Sequence, residues 1–415
     1  MKKFIAIFFI LFSVNAWSQV PQFRGPNRDG NYPDKGLLKQ WPENGPKLLV
    51  ETSGIGNGYS SASFSNNKIY ITGMIDTLDY LSCIDLSGKI LWKTAYGSSW
   101  NQSFPESRST PTIMNGKAYV SSGRGVVACI DAESGKIIWS VDAFKKEEGA
   151  YGIWGVAESI LLVDGKAIFT TGGNNTTMVA LDANTGKEVW KSPSLRDNLA
   201  YVSPILIEKN GKKLIIGVTA SYIFGVNPES GNIAWSFDYK KIAPPENDNS
   251  RGLINCTSPI YHDGILYITS GYNHIGAEFK LKDDLSGVDF LWKDGVLDNH
   301  HGGVVLVDGY VYGSNWVNNN KGNWCCINFE TGEKKYEETF KNKGSIIFAD
   351  GMLYIYSEQP GFVGLVKPSP EKFELVSSFQ ITKGNGPHWA HPSIYDGKLF
   401  IRHGDYLLVY DIKEK

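Results

Sequence analysis

Short apolar stretches alternate with polar turn residues along nearly the whole chain. Residues 129–139 read CIDAESGKIIW and residues 180–190 read ALDANTGKEVW, with related copies at 83–92 and 225–235. In each copy an apolar strand precedes a Ser/Thr-Gly turn, and a second strand ends at an aromatic residue. The closing aromatic residues stand at positions 92, 139, 190, 235, 292 and 336, which are 44–57 residues apart. This period is typical of β-propellers.

A second hairpin precedes the strand pairs. An Asp-Gly or Asn-Gly pair stands between apolar runs at residues 115–116, 164–165, 263–264, 308–309, 350–351 and 396–397. Such pairs accept the positive φ that both central positions of a two-residue hairpin turn require. One repeat therefore has four strands.

The repeats can be counted from their first strands. Eight units begin near Ser60, Ser109, Glu158, Val202, Thr257, Gly302, Ser345 and His391. The sequence therefore predicts an all-β fold, an eight-bladed β-propeller with four-stranded blades, in a single domain spanning residues 19–415.

The last unit lacks an outer strand of its own. The segment Lys47–Glu51, upstream of the first unit, has the pattern of an isolated outer strand. We expect this N-terminal strand to complete the last blade, because closure of the ring removes exposed strand edges.

The first eighteen residues have the pattern of a signal peptide. Lys2 and Lys3 precede an apolar run at residues 4–14, and Ala16-Trp17-Ser18 supplies small residues for cleavage before Gln19. We expect a periplasmic or secreted protein that is soluble after cleavage, without a membrane span. The alternative is a buried N-terminal strand or helix.

Charge and cysteine content exclude several classes of function. The net charge of −2 argues against a nucleic-acid partner, which needs a basic surface. The five cysteines form no Cys-x-x-Cys pair, which excludes a zinc knuckle and a c-type haem. We expect Cys325 and Cys326 to be packed thiols, because neighbours in a strand point to opposite faces.

The repeat also resembles a known family. The pattern A-x-D-x-x-T-G-x-x-x-W at 180–190 is similar to the tryptophan-docking motif of pyrroloquinoline-quinone-binding-like propellers. These include quinoprotein alcohol dehydrogenases and outer-membrane assembly factors. A narrower resemblance is to exported bacterial propellers that open with FRGPNRDG, here Phe23–Gly30, and carry RSTP (108–111), NHHGGVVL (299–306) and AHP (390–392).

The resemblance implies a quinoprotein-like alcohol or sugar oxidoreductase, with pyrroloquinoline quinone (PQQ) and calcium as cofactors and no haem. The chain departs from the quinoproteins because the flanks of their calcium ligands and catalytic Asp are not matched. It departs from the assembly factors because no cysteine for a lipid anchor stands near the predicted cleavage site, the first being Cys83.

The site is expected in the loops that lead from one blade to the next, which ring one mouth of the channel. The predicted ligand-binding residues are Glu106, Arg108, Trp154, His300, His301, His388, Trp389 and His391, and the candidate catalytic carboxylates are Glu158 and Asp298. No metal ligand is assigned. One alternative is that these histidines bind a metal together with Glu106 or Glu158. A second is that Arg108 and Glu106 form a structural ion pair instead of contacting a ligand, and a third is that the tryptophans plug the channel.

Two hypotheses for the function remain. In the first, the mouth binds a small or oligomeric ligand, with carbohydrate as one choice, and oxidises it; Glu158 or Asp298 would take the alcohol proton and Arg108 would polarise the quinone. In the second, the propeller is a non-catalytic binding or scaffold protein in envelope assembly or polysaccharide degradation. Both use the same loops, and no protein partner is indicated.

Overall fold

Each predicted repeat folds into four antiparallel strands in the computed structural model, and eight such blades form the propeller. In blade 7 the short strand Asn31–Tyr32 adds a fifth strand, which pairs in parallel with Gly344–Ala349. The structure describes residues 21–242 and 254–414, so the predicted signal peptide lies outside the described residues. The fold class, the number of blades and the closing strand are as predicted. Within these ranges the helical segments are Ala143–Glu147 and Tyr239–Lys241, and no helix is long and apolar enough to cross a membrane.

The four strands of each blade follow one another from the channel outwards. Blade 1 comprises Ser63–Ser65, Lys68–Ile75, Leu78–Asp85 and Ile90–Ser98, and blade 2 comprises Thr112–Met114, Lys117–Ser121, Val126–Asp131 and Ile137–Asp142. Blade 3 comprises Leu161–Val163, Lys166–Thr170, Met178–Asp182 and Glu188–Lys191, and blade 4 comprises Ile205–Lys209, Lys212–Val218, Tyr222–Val226 and Ile233–Asp238. Blade 5 comprises Ile260–His262, Ile265–Ile268, Gly276–Leu281 and Val288–Asp294, and blade 6 comprises Val304–Val307, Tyr310–Ser314, Trp324–Asn328 and Lys334–Glu338. Blade 7 comprises Gly344–Ala349, Met352–Ser357, Phe362–Lys367 and Glu374–Gln380, and blade 8 comprises Ser393–Tyr395, Lys398–His403, Tyr406–Asp411 and Lys47–Thr52.

The hairpin turns have the backbone geometry that their sequences predict. The Asp or Asn of the six Asp-Gly and Asn-Gly pairs has φ between 46° and 51°, and the following glycine has φ between 68° and 85°. A two-residue turn with positive φ at both positions matches the twist of the flanking strands. These turns therefore fix the register between the two inner strands of six blades.

The recurring tryptophans join neighbouring blades at the outer rim. Trp139 of blade 2 donates its indole N–H to the carbonyl of Ala183 in blade 3 at 3.0 Å. The ring also covers Gly186, where a Cβ atom would stand 2.8 Å from ring carbons and where φ is +69°. Trp190 contacts Pro228 and Gly231 of blade 4 in the same way. The Thr/Ser-Gly turn of one repeat is thus a seat for the tryptophan of the preceding repeat.

The ring is closed by the N-terminal strand. Lys47–Thr52 pairs antiparallel with Tyr406–Asp411 and supplies the outer strand of blade 8. Arg402 ties the same blade to blade 1, since its guanidinium donates to the carbonyls of Gly56 at 2.7 Å and Thr72 at 2.6 Å.

The adjacent cysteines are packed thiols, as predicted. Both lie in the strand Trp324–Asn328 and are buried and unbridged. Cys325 packs in the cluster around Val311, whereas Cys326 packs on the other side of the strand with Tyr312. Burial raises the pKa of Cys326 to about 12, so this thiol stays protonated.

The segment of residues 21–32, which we name the channel segment, runs across the channel between blades on its opposite sides. Arg28 is 2 % exposed and binds inner-strand backbone of blades 2 to 4. It donates to the carbonyls of Ser159 at 3.1 Å, Pro204 at 3.0 Å and Ile160, and to the hydroxyl of Thr112 at 3.4 Å.

Arg24 makes the corresponding contacts on the opposite side of the channel. It is 3 % exposed and donates to the carbonyls of Val304 at 2.6 Å, Ile346 at 3.2 Å and Gly302 at 3.4 Å, and to Nδ1 of His391 at 3.0 Å. Burial lowers the pKa of Arg24 to about 10, so the guanidinium stays charged at pH 7. The two arginines together hold the channel segment against six of the eight blades.

Candidate functional site

A continuous series of rings crosses the mouth of the channel above the channel segment. Neighbouring ring centroids in this series are 4.2–6.1 Å apart. The series, which we name the ring arc, comprises Phe104, Trp389, His301, His300, Tyr272, Trp154 and Tyr201 in that order. Its members come from loops of blades that lie on different sides of the ring.

One end of the ring arc is built around Trp389. Its ring lies 4.9 Å from Tyr59, 5.5 Å from Phe104 and 5.2 Å from His301. The Arg108 guanidinium stands 5.7 Å from the centroid of the Tyr59 ring and donates to the carbonyls of Phe104 and Glu106. Arg108 therefore fixes the loop that carries Phe104 while its charge stays at the mouth.

The carboxyl group of Glu106 lies beside the same tyrosine. Burial raises its pKa, and the nearby Arg402, Tyr59 and Arg108 oppose this shift. Arg108 bonds to the carbonyl of Glu106 in the described structure, not to its carboxylate. The structural ion pair considered from the sequence is therefore replaced by a contact with the main chain.

The other end of the ring arc is formed by Trp154, Tyr272 and Tyr201. Trp154 lies nearly parallel to Tyr272, with centroids 6.1 Å apart and an interplanar angle of 19°. The Tyr201 hydroxyl accepts the main-chain N–H of Trp154 at 3.2 Å. The indole nitrogen of Trp154 is buried and makes no hydrogen bond within the described residues, so it is available as a donor.

The centre of the ring arc contains two histidines and a buried carboxylate. Glu358 lies in the turn after the strand Met352–Ser357 of blade 7. Its Oε1 faces Nδ1 of His300 at 3.8 Å and Nε2 of His301 at 3.2 Å, and its Oε2 is 3.1 Å from Nζ of Lys343. The other ring nitrogen of His300, Nε2, points away from Glu358 and is hydrogen-bonded to the Tyr272 hydroxyl at 2.7 Å.

The charges of this cluster follow from its burial. Burial and the neighbouring His300 lower the pKa of His301 to about 3, so this imidazole is neutral at pH 7. Burial opposes ionisation of Glu358, but its neighbours outweigh that effect and lower its pKa to about 2. The neighbours that lower the pKa of Glu358 are His301 first, then His300, and last Lys343.

The two candidate catalytic carboxylates have other hydrogen-bond partners than this cluster. Glu158 is 2 % exposed, accepts the N–H of Thr170 at 3.0 Å, and has its pKa raised by burial to about 8. Asp298 is 8 % exposed and accepts the N–H groups of Trp316 at 2.9 Å and Asn273 at 3.0 Å. Burial raises the pKa of Asp298 to about 7. Asp298 thus holds together two loops at the mouth; a catalytic role for either carboxylate stays a prediction.

Two of the predicted histidines are buried below the mouth. His388 stacks on His403 at 3.6 Å and shares a hydrogen bond of 2.5 Å with the Tyr356 hydroxyl. His391 accepts from Arg24, and its Nε2 lies 2.8 Å from the carbonyl of His301, which fixes the Nε2–H tautomer. The ring nitrogens of His391 are both engaged, so this histidine joins the channel segment to the ring arc.

The structure thus brings Trp154, His300, His301 and Trp389 into one arc, with Arg108 and Glu106 beside it. The predicted site did not include Glu358, Lys343 and Tyr272. Lys343 stands in the loop between blades 6 and 7, whereas Glu358 and Tyr272 lie in turns within blades 7 and 5. The arginines of FRGPNRDG were not predicted site residues either. The single Arg-x-x-x-Arg spacing in a segment without strand periodicity was the available signal for Arg24 and Arg28.

Comparisons with known proteins agree with the fold. A family model described as outer membrane protein assembly factor BamB matches residues 78–318, which is more than half of the chain. An uncharacterized protein of Rickettsia conorii is 28 % identical over 290 residues, covering 66 % of this chain and 63 % of that protein. The chain thus spans less than two thirds of that relative's length, and 41 % of that of the assembly factor BamB of Kangiella koreensis.

Solved structures show the same architecture at low sequence identity. The quinohemoprotein alcohol dehydrogenase of Comamonas testosteroni aligns with a TM-score of 0.70 and 11 % identity, over 96 % of this chain and 81 % of that one. BamB of Moraxella catarrhalis aligns with a TM-score of 0.64 and 15 % identity, over 88 % and 99 %. These structures support the fold alone, while the family model covers the repeat itself. The chain therefore belongs to the family of PQQ-like repeat propellers that the BamB model describes.

Proposed function

We propose that this protein is an exported propeller that binds a small or oligomeric carbohydrate at the mouth of its channel. The observation that carries the proposal is the ring arc. Trp154 and Trp389 are half-buried and Phe104 is 53 % exposed, so each keeps part of its ring surface accessible to a ligand. Aromatic faces suit the apolar faces of sugar rings, and Glu106 and Arg108 offer an acceptor and donors for hydroxyl groups.

The channel segment limits how a ligand can bind. Arg24 and Arg28 cross the channel and bind blades on its opposite sides, so we expect the channel segment to obstruct passage of a chain through the ring. A polysaccharide would therefore lie across the mouth instead of threading through the ring. The family match to an outer membrane protein assembly factor supports export to the cell envelope.

The central cluster of the ring arc does not suit the calcium of the quinoprotein branch, and the adjacent cysteines do not suit its quinone. Calcium takes six to eight oxygen ligands, whereas the central cluster offers two imidazoles and one carboxylate that already contacts Lys343. Cys325 and Cys326 are buried on opposite faces of one strand and cannot cover a quinone ring as a disulfide. The geometry favours binding over quinone-dependent oxidation.

Calorimetric titration of the mature protein with plant, algal and bacterial oligosaccharides tests this function. Phe104→Ala should weaken binding about fivefold or more, since one exposed stacking face is lost. Phe290→Ala is the matched control, because Phe290 is 41 % exposed on the outer strand of blade 5, away from the mouth. Equal affinity of wild type and Phe104→Ala would refute the proposed site.

The same preparation separates binding from oxidation. Protein mixed with PQQ and calcium should gain neither cofactor absorbance nor dye-linked alcohol oxidation. If it gains both, the oxidoreductase hypothesis is correct, and the conclusion that the central cluster does not suit calcium is wrong.

The family match supports one alternative, a scaffold in envelope assembly whose mouth binds an extended protein segment. Under that alternative no oligosaccharide binds, and Phe104→Ala disrupts a protein complex instead.

A further inference from the structure

The central cluster of the ring arc presents its polar atoms in an arrangement that its hydrogen bonds do not explain. Nδ1 of His300 and Nε2 of His301 are buried, and neither has hydrogen-bond geometry to a partner within the described residues. Both instead lie at ion-pair distance from the same oxygen, Oε1 of Glu358, at 3.8 and 3.2 Å. Two imidazole nitrogens therefore converge on one carboxylate oxygen, which is the arrangement of ligands around a shared ion.

The three atoms match the donors of a transition-metal site. They all lie within 4.8 Å of one another. Ligands bound to one ion at about 2.0–2.2 Å stand about 3–4 Å apart, so small side-chain rotations would close the set. Two imidazole nitrogens with one carboxylate oxygen suit zinc, iron and other first-row divalent ions, and leave coordination positions open.

The surrounding contacts orient each donor. The Tyr272 hydroxyl holds the far nitrogen of His300 at 2.7 Å, which leaves Nδ1 turned to the centre. Lys343 binds the other oxygen of Glu358 at 3.1 Å, and the Glu358 N–H donates to the carbonyl of Lys343 at 2.9 Å. Hydrogen-bond partners of this kind hold a metal ligand in one rotamer and one protonation state.

Close backbone packing sets the distance between the two loops. A Cβ atom at Gly302 would lie 1.9 Å from the carbonyl oxygen of Gly344. The absence of side chains at this contact lets the His300–His301 loop approach blade 7, which carries Glu358. The pair Gly302-Gly303 thus serves close packing between the blades.

We propose that Nδ1 of His300, Nε2 of His301 and Oε1 of Glu358 bind one divalent transition-metal ion, such as Zn²⁺, at the centre of the ring arc. Open positions on the ion would face the mouth, where water or a hydroxyl group of a bound carbohydrate can complete the coordination. The metal site does not depend on the proposed carbohydrate function, because its donors are complete without that ligand. The sequence alone assigned no metal ligand, and its histidine alternative included His388 and His391, whose contacts lie elsewhere.

Titration of the chelator-treated mature protein with Zn²⁺ alone, and in parallel with Co²⁺, tests the site. Wild type should take up one ion per chain by calorimetry, and Co²⁺ should produce visible absorption bands of nitrogen and oxygen coordination. His300→Ala and His301→Ala should each weaken binding at least tenfold and remove those bands. Both variants retain the Glu358–Lys343 pair, so they are expected to fold.

The control is His262→Ala, because the side chain of His262 is 59 % exposed and lies outside the mouth. Its affinity for Zn²⁺ should stay within twofold of wild type. Glu358→Asp keeps the charge that neutralises Lys343 but shortens the ligand, and should weaken uptake as strongly as the histidine variants. Absence of stoichiometric uptake by wild type, or uptake that survives His301→Ala, would overturn the metal site.

The outcomes also separate this site from the proposed function. If oligosaccharide binds and no metal is taken up, the ring arc is a carbohydrate site and the proposed metal site is wrong. If metal is taken up and no oligosaccharide binds, the metal site is correct and the proposed carbohydrate function is wrong.

Discussion

The tryptophans of the outer rim and the arginines of the channel both join neighbouring blades, but they do so by different means. Trp92, Trp139, Trp190 and Trp292 each donate to a carbonyl of the next blade at 2.9–3.0 Å and cover the glycine of its turn. Each contact is a copy of the others, made between residues about one repeat apart.

In the channel no contact is repeated. Arg28 reaches residues 84 to 176 positions away in the chain, and Arg24 reaches residues 278 to 367 positions away. Their partners are mainly backbone carbonyls, which any residue provides. The rim is therefore specified by repeated residue types, and the channel is specified by where two long side chains are placed.

The most severe test removes the segment that serves both regions. Deletion of residues 19–51 takes away the outer strand of blade 8 and both channel arginines, and should lower the free energy of unfolding by more than about 5 kcal/mol. Thermal and urea unfolding measure the loss. A truncated protein that melts at the wild-type temperature would show that blade 8 does not need its N-terminal strand.

Loss of a single rim contact should be the next largest effect. Trp139→Ala should cost about 3–5 kcal/mol, because the indole is buried between two blades and also loses its hydrogen bond. Trp92→Ala should cost less, since Trp92 is only half-buried. Urea denaturation of both variants measures this order. A loss below about 1 kcal/mol for Trp139→Ala would mean that the rim contact contributes little.

The channel arginines should contribute less individually than a rim tryptophan. Arg24→Met and Arg28→Met leave buried carbonyls without donors, and each should cost about 2–4 kcal/mol. Lys136→Met is the control for loss of a cation, because Lys136 is exposed on blade 2. If both arginine variants are as stable as the control, the channel segment occupies the channel without stabilising the blades.

The smallest effect is a pH dependence at the channel wall. Glu158 has its pKa raised by burial to about 8, against an ordinary value near 4.5. In the folded state it therefore keeps its proton up to about pH 8, while in the unfolded state it loses the proton above about pH 4.5. Stability should fall as pH rises through this window, by about 2 kcal/mol between pH 5 and pH 7.

Glu158→Gln should remove this part of the slope, because glutamine does not titrate. Glu43→Gln, at an exposed side chain, is the matched control and should leave the slope unchanged. Unfolding by urea across this pH range measures both. Identical slopes for wild type and Glu158→Gln would show that Glu158 is already ionised in the folded protein.

Part of the candidate site followed from the sequence. The blade-to-blade loops were expected at one mouth, and the structure places Trp154, His300, His301 and Trp389 in one series of ring contacts there. Glu358 was not found, because it lies in a turn within a blade and no local pattern marks it. His388 stood in the right loop, but its side chain is buried against His403.

The sequence by itself determined the repeat, because its signals act over short distances. An Asp-Gly turn needs positive φ at two adjacent residues, and a strand pair needs apolar positions a few residues apart. Together these requirements gave eight four-stranded blades and the closing strand at residues 47–51, which the structure confirms.

Only the tertiary structure decided what crosses the channel and which polar atoms meet at its mouth. Arg24 and His391 are 367 positions apart, and His301 and Glu358 belong to different blades. Such contacts depend on the rotation of each blade about the common axis and on the close approach at Gly302. No residue pattern within one repeat records that rotation, because each repeat specifies its own strands and the seat for its neighbour, and nothing across the ring.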